Sequence, residues 1–143
     1  MTIEGDIADH LEIRNLLARY CLHLDLLENE EWISLFTEDC TYRVHGKVWE
    51  GHDGIRRIVE GAPQGLHLGG ATEIVSITPS GASDGSGDTA VTRHNLLFLE
   101  NGSTELRRVL YRDKLVRQDG SWKFAERHVQ FLTADGIAER PER

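Results

Sequence analysis

Three helical segments followed by a nearly continuous run of strands place this chain in the α+β class. Three observations carry that assignment. Apolar residues recur at helical spacing between Ile7 and Leu27, strand-like segments fill the C-terminal half, and two hairpin signals, Asn101-Gly102 and Asp119-Gly120, join those segments. Helices and strands do not alternate, so a parallel βαβ architecture is not expected. No internal repeat is present.

The elements follow in order. Ile13, Leu16, Leu17, Tyr20, Leu24 and Leu27 form one apolar stripe on a first helix, whose start Asp6 or Asp9 is placed to cap. A second, short helix is expected over Glu30 to Phe36, burying Trp32, Leu35 and Phe36. Thr41 to Val48 reads as a strand ending at Gly51. Gly51-His52-Asp53-Gly54 then opens a third helix, with Ile55, Ile58 and Val59 on one face and Gly61-Ala62-Pro63 at its end. Leu66 to Thr78 reads as one strand, and Pro79 to Asp88 is a loop by composition. Strands over Ala90–Glu100, Glu105–Gln118 and Ser121–Thr133 complete the pattern. The whole of 1–143 reads as one domain, with 134–143 as a mobile tail.

Composition narrows the function. The 143 residues contain 39% apolar and 28% charged side chains, which suits a soluble globular domain and excludes a disordered chain. The formal charge of -8 lacks the basic footprint that nucleic acid requires. Arg107-Arg108 and Arg112 lie beside Glu105 and Asp113, as on a solvated or cross-strand-paired face. No apolar run is long enough to span a membrane, and the acidic N-terminus is not a secretory signal, so a cytoplasmic location is expected. Cys21 and Cys40 read as reduced thiols.

Two polar residues stand out among apolar neighbours. Asp25 follows Tyr20-Cys-Leu-His-Leu near the end of the first helix, at the edge of the buried stripe. A carboxylate there is either exposed at the helix end, paired with an arginine, or buried with a partner. His67 lies in Gly65-Leu-His67-Leu-Gly69-Gly70, where the glycines are expected to leave room for a ligand. Together the two residues have the makings of an oriented imidazole base. Of the other histidines, His94 is mid-strand and flanks the same interior, and His128 alternates with Arg127, so only one of that pair faces inward. There is no His-Glu-x-x-His, Cys-x-x-Cys or His-x-His metal pattern and no Gly-x-Ser-x-Gly nucleophile motif. The glycines between Gly81 and Gly87 lack the Lys-Ser/Thr of a phosphate loop.

A set of short motifs runs along nearly the whole chain: Arg19-Tyr20 with Asp25, Trp32-x-x-Leu35-Phe36-x-x-Asp39, Trp49-x-Gly51-x-x-Gly54-Ile55, His67-Leu-Gly-Gly70, Tyr111-Arg-Asp113, and Asp119-Gly-Ser-Trp122-Lys-Phe124-x-x-Arg127. In this order and spacing the chain resembles the SnoaL-like branch of the nuclear-transport-factor-2-like superfamily. The resemblance implies a cone-shaped, cystatin-like α+β barrel. Three N-terminal helices would close a curved, mostly antiparallel sheet around a deep pocket. The Asp25/His67 pair is similar to the dyad of scytalone dehydratase-like proteins, hexachlorocyclohexane dehydrochlorinase and bile-acid 7α-dehydratase. In the latter two, an Asp near the end of the first helix orients a proton-abstracting His. Tyr20, five residues before Asp25, and Arg127, five after Trp122, match further catalytic positions. Tyr42, His94 and Trp49 are the candidate substrate contacts.

What the resemblance implies is a cofactor-free elimination or isomerisation of a small hydrophobic cyclic or aromatic molecule. His67 would act as base, and Tyr20, Arg127 and Tyr42 would polarise or protonate the departing oxygen. Other readings of the same fold are a non-catalytic small (beta) subunit of a ring-hydroxylating dioxygenase, an apolar-ligand-binding domain, and a polyketide cyclase. By analogy a homo-oligomer is expected, a trimer before a dimer.

Overall fold

A computed structural model describes residues 7–133 and 136–137. The first helix, α1 (Ile7–Asp25), buries Ile13, Leu16, Leu17 and Tyr20, a stripe at i, i+3, i+4 and i+7. It ends two residues before the expected boundary, because Leu27 adopts a left-handed φ of 60° and turns its side chain out to solvent. The expected cap at Asp6 lies outside the described residues. Asp9 pairs instead with Arg117, and Glu12 accepts the Trp122 backbone N–H at 2.9 Å, so the start of α1 is held to the opposite end of the chain.

Helix α2 (Asn29–Ile33) is shorter than expected, since Phe36 already begins strand β1 (Phe36–Val44). The strand expected over Thr41–Val48 is a hairpin of β1 with β2 (Lys47–Glu50), turning at His45 and Gly46, whose φ values are 54° and 72°. Two successive left-handed residues are what a tight hairpin turn needs, and a histidine in the first position hid it. Helix α3 (Gly51–Gly61) follows and buries Ile55.

The segment Leu66–Thr78 is also two strands, β3 (Gly65–Leu68) and β4 (Thr72–Thr78), interrupted at Gly69-Gly70-Ala71. Both pair antiparallel with one long strand, β5 (Thr89–Glu100). Strands β6 (Leu106–Gln118) and β7 (Ser121–Thr133) follow with the expected hairpins. Of the expected tail at 134–143, only β8 (Gly136–Ile137) lies among the described residues, and it pairs with β7.

Among the described residues the strands form one eight-stranded sheet, in the order β2-β1-β7-β6-β5-β3 with β4 and β8 on β5 and β7. Neighbours are antiparallel except β1 and β7, which run parallel and make the sheet mixed. Register shifts at Lys114/Leu115, Phe36/Thr41 and Ile74/Ser76 bend the strands. The result is an open, curved sheet with the helices on its concave side. The core between them is aromatic, with Trp32, Phe36 and Phe124 fully buried.

Candidate active site

Between the helices and the concave face lies a cavity of about 720 Å³, within the range of small-molecule sites. Tyr20, Trp32, Tyr42 and Tyr111 form its depth. Leu24, Val44, Trp49, Phe98, Val109 and Phe131 form much of its apolar wall, and Asp25 and His67 lie on the same wall.

The ends of α1 and β3 meet here. The Asp25 Oδ1 lies 2.5 Å from the His67 Nδ1, and Oδ2 accepts the His67 backbone N–H at 2.9 Å. Both side chains are nearly enclosed, at 10% and 12% exposure. A carboxylate only accepts, so Nδ1 carries a proton, and in the neutral imidazole the lone pair is on Nε2. The main-chain bond fixes the carboxylate and the side-chain bond fixes the ring, so the imidazole is oriented twice over. Phe98 packs against the ring at 4.8 Å between centroids, and Tyr20 meets it edge-on at 6.4 Å.

The glycines around His67 have a different role from the one expected. A Cβ on Gly65 would sit 2.2 Å from the Leu99 carbonyl oxygen, and one on Gly70 would sit 2.0 Å from that of Asn95. Gly65 and Gly70 let the chain press against β5 and place His67, and Gly65 also lines the cavity.

Across from the dyad, the hydroxyls of Tyr20 and Tyr42 are 2.5 Å apart. Burial, aided by neighbouring phenols, pushes Tyr20, Tyr42 and Tyr111 above the ordinary tyrosine range, so all three stay protonated at neutral pH. One hydroxyl of the pair donates to the other, and Tyr20 hydrogen-bonds Tyr111 as well, so the three phenols form one chain of hydroxyls.

Arg127 does not line the cavity. Its guanidinium is sandwiched behind the wall, 3.9 Å from the ring centres of both Tyr20 and Tyr111, with Phe124 at 4.6 Å. Burial opposes its charge, but Asp113, 3.2 Å from Nε, and the tyrosine rings outweigh that and keep it cationic. Its three nitrogens make no hydrogen bond among the described residues, so ring faces and the ion pair alone hold a buried charge. Burial raises the Asp113 carboxyl to about 6 against the lowering by Arg127 and the Thr92 hydroxyl.

His94 is likewise behind the wall. Its Nδ1 is 2.8 Å from the Thr72 hydroxyl and its ring stacks on Tyr111. Burial, with the Arg127 charge second, pushes it down to about 4, so it is neutral at physiological pH. The expected substrate contact at His94 and the expected catalytic contact at Arg127 are therefore both withdrawn from the cavity, because β5 and β7 carry these side chains into packed layers beneath the tyrosines. Tyr20, Tyr42 and Trp49 do line it, as do Tyr111, Trp32 and Phe98, which sequence reading did not single out as site residues. Tyr111 was visible in a motif, but nothing in the sequence tells a cavity tyrosine from a core one. Burial raises both thiols to about 11, which leaves Cys21 and Cys40 poor nucleophiles. Among the described residues no three or more His, Cys, Asp or Glu side chains are grouped to hold a metal ion, and no helix is long and apolar enough to cross a membrane.

Comparison with known proteins gives the same architecture. An Asp-to-Asn variant of a function-unknown protein from Mycobacterium tuberculosis superposes with a TM-score of 0.75 at 24% identity, covering 94% of this chain and 84% of that one. A proposed scytalone dehydratase from Novosphingobium aromaticivorans gives 0.68 at 21%, covering 96% and 91%. The type 3 hexachlorocyclohexane dehydrochlorinase of Novosphingobium barchaimii gives 0.65 at 18%, covering 95% and 97%. Comparison with curated proteins finds no match. The model of the SnoaL-like domain matches residues 5–128, so the chain belongs to the SnoaL-like domain family.

Proposed function

We propose that this protein is a cofactor-independent lyase or isomerase that abstracts a proton from a small hydrophobic cyclic molecule, with His67 as the general base. The observation that carries this reading is the double attachment of Asp25 to His67 on the wall of a mostly apolar cavity. Nε2 of His67 takes a proton from a carbon made acidic by a neighbouring carbonyl or conjugated system, and Asp25 stabilises the imidazolium that forms. The Tyr20–Tyr42 pair, through its chain to Tyr111, donates a hydrogen bond to the oxygen on which charge develops. Because burial keeps both phenols protonated, they act as hydrogen-bond donors and not as phenolate bases. In an elimination the departing group leaves with the electron pair of its bond to carbon. In an isomerisation the imidazolium returns its proton to another carbon. Arg127 acts at a distance, as a fixed positive charge behind the tyrosine rings. Dehydrochlorination and proposed dehydration among structural neighbours support the reaction class. The exposed Leu22, Leu26, Leu66 and Leu68 are consistent with a homo-oligomer, for which a trimer is our reading.

The test is exchange. Cyclic ketones incubated in D2O with the protein should gain deuterium next to the carbonyl, followed by NMR. His67→Ala should slow that exchange by about 10²–10⁴-fold, the usual contribution of a placed base. Equal exchange with and without the imidazole would sink the assignment and leave ligand binding without turnover as the reading.

A further inference from the structure

The charged side chains at the mouth of the cavity are predominantly basic. Lys47 on β2, Arg57 on α3 and Arg107 on β6 all line it and are exposed. Among the described residues, Glu60 is the only acidic one on the lining besides Asp25, which His67 holds on the wall. In the chain as a whole Asp and Glu outnumber Lys and Arg by 24 to 16, so this opening reverses the prevailing sign. Arg107 is paired with Glu100 at 3.2 Å, but that contact is exposed and leaves the guanidinium open to water. Lys47 and Arg57 come from elements that do not neighbour β6 in the sheet, so three separate parts of the fold bring charge to one opening.

We infer that the natural ligand of this cavity is amphipathic: an apolar ring system that fills the depth, ending in an anionic group, carboxylate or phosphate, held at the mouth by Lys47, Arg57 and Arg107. The lining of the cavity supports the division. Its depth offers the tyrosine pair and the dyad, with apolar walls and no free cation, since Arg127 is sealed behind the rings. An anion therefore finds complementary charge only at the opening, and its placement there orients the ring toward His67. Basic residues around a low-dielectric cleft also raise the local concentration of anionic ligands, which matters in a protein whose net charge of -8 repels them. This inference rests on the proposed function in that the cavity receives the substrate. Its test reads binding and not turnover.

The probes are 2-naphthylacetate, its neutral isostere 2-naphthylacetamide, and 2-naphthyl phosphate, titrated calorimetrically into the full chain. The acetate is expected to bind about tenfold tighter than the amide at low ionic strength, with the margin shrinking as salt screens the opening. Lys47→Met, Arg57→Gln and Arg107→Gln should each cut acetate affinity about threefold with amide affinity unchanged, and the triple variant should abolish the preference. Glu60→Gln should strengthen acetate binding. A larger gain for the phosphate than for the acetate identifies a phosphorylated ligand, and the reverse a carboxylate. Equal affinity for acetate and amide, binding of neither, or a triple variant that keeps the preference overturns the inference. A protein that shows the preference yet never exchanges protons keeps this inference and loses the preceding one.

Discussion

Strands β5 and β3 lie side by side and sort their side chains by opposite rules. On β5, Ala90, Leu96 and Phe98 face inward while Arg93 and Asn95 face solvent, the alternation expected of a half-buried strand. On β3 the leucines point out, Leu66 at 52% and Leu68 at 42% exposure, and His67 points in. The end of α1 repeats the inversion: Leu22 and Leu26 are exposed while the Asp25 carboxylate is nearly enclosed. Where packing decides, apolar residues go inside. Where the two inverted segments meet, the protein gives up that gain to enclose a carboxylate and an imidazole, and such local violations are expected at functional sites.

The contrast can be broken from either side. The largest effect belongs to the orthodox region: Phe124→Ala should cost about 3–5 kcal/mol in urea unfolding, as for other fully buried aromatics. Nearly as large is Arg127→Met, about 3–5 kcal/mol, because it strands the buried Asp113 carboxyl. Adding Asp113→Leu should recover much of that loss, and a double variant no better than the single one would show that the ring contacts, not the ion pair, dominate. In the inverted corner the signs separate. Asp25→Asn should remove most proton-exchange activity, through loss of the tautomer lock, while moving stability by no more than about 1 kcal/mol. A variant that loses fold and activity together would make the corner ordinary core.

His94 gives a subtler effect. Its folded-state value of about 4 is below the unfolded value near 6.5, so the unfolded chain binds more protons between them. Its contribution is therefore complete above pH 6.5 and is lost as pH falls toward 4. Asp113, raised to about 6, works in the opposite sense over the lower part of that range. His94→Gln should remove about 1–2 kcal/mol of acid sensitivity, after discounting for screening, and urea midpoints between pH 4 and 7 would record it. The smallest expected change is Val91→Thr, within about 0.5 kcal/mol, since an outward valine on β5 has little packing to lose.

The same inversion decides how much could be read from the sequence. The helices, the three long strands and their Asn-Gly and Asp-Gly turns follow from periodicity and turn chemistry. The β1–β2 hairpin did not, because His45 occupies a left-handed position usually given to Asn, Asp or Gly. The break between β3 and β4 was hidden because Gly69-Gly70 reads as space when Gly70 is needed for close approach to β5. Asp25 and His67 drew notice as polar residues among leucines, but only the family resemblance brought them together across a sequence separation of 42. Alternation allowed only one of Arg127 and His128 to face inward and the resemblance pointed to Arg127, yet neither can say whether an inward group reaches the cavity or stops behind its lining.

The backbone half of the Asp25–His67 contact has a consequence for association. Strand β3 ends the sheet order, so one side of its main chain faces no further strand. An exposed edge N–H is a template on which another chain can add a strand. Here the Asp25 carboxylate occupies the His67 N–H, and a negative charge sits where an incoming strand would have to pair. The residue that orients the imidazole thus also guards the margin of the sheet. Its loss would leave a short strand with two outward leucines and an open donor, a surface that invites self-association before it invites unfolding.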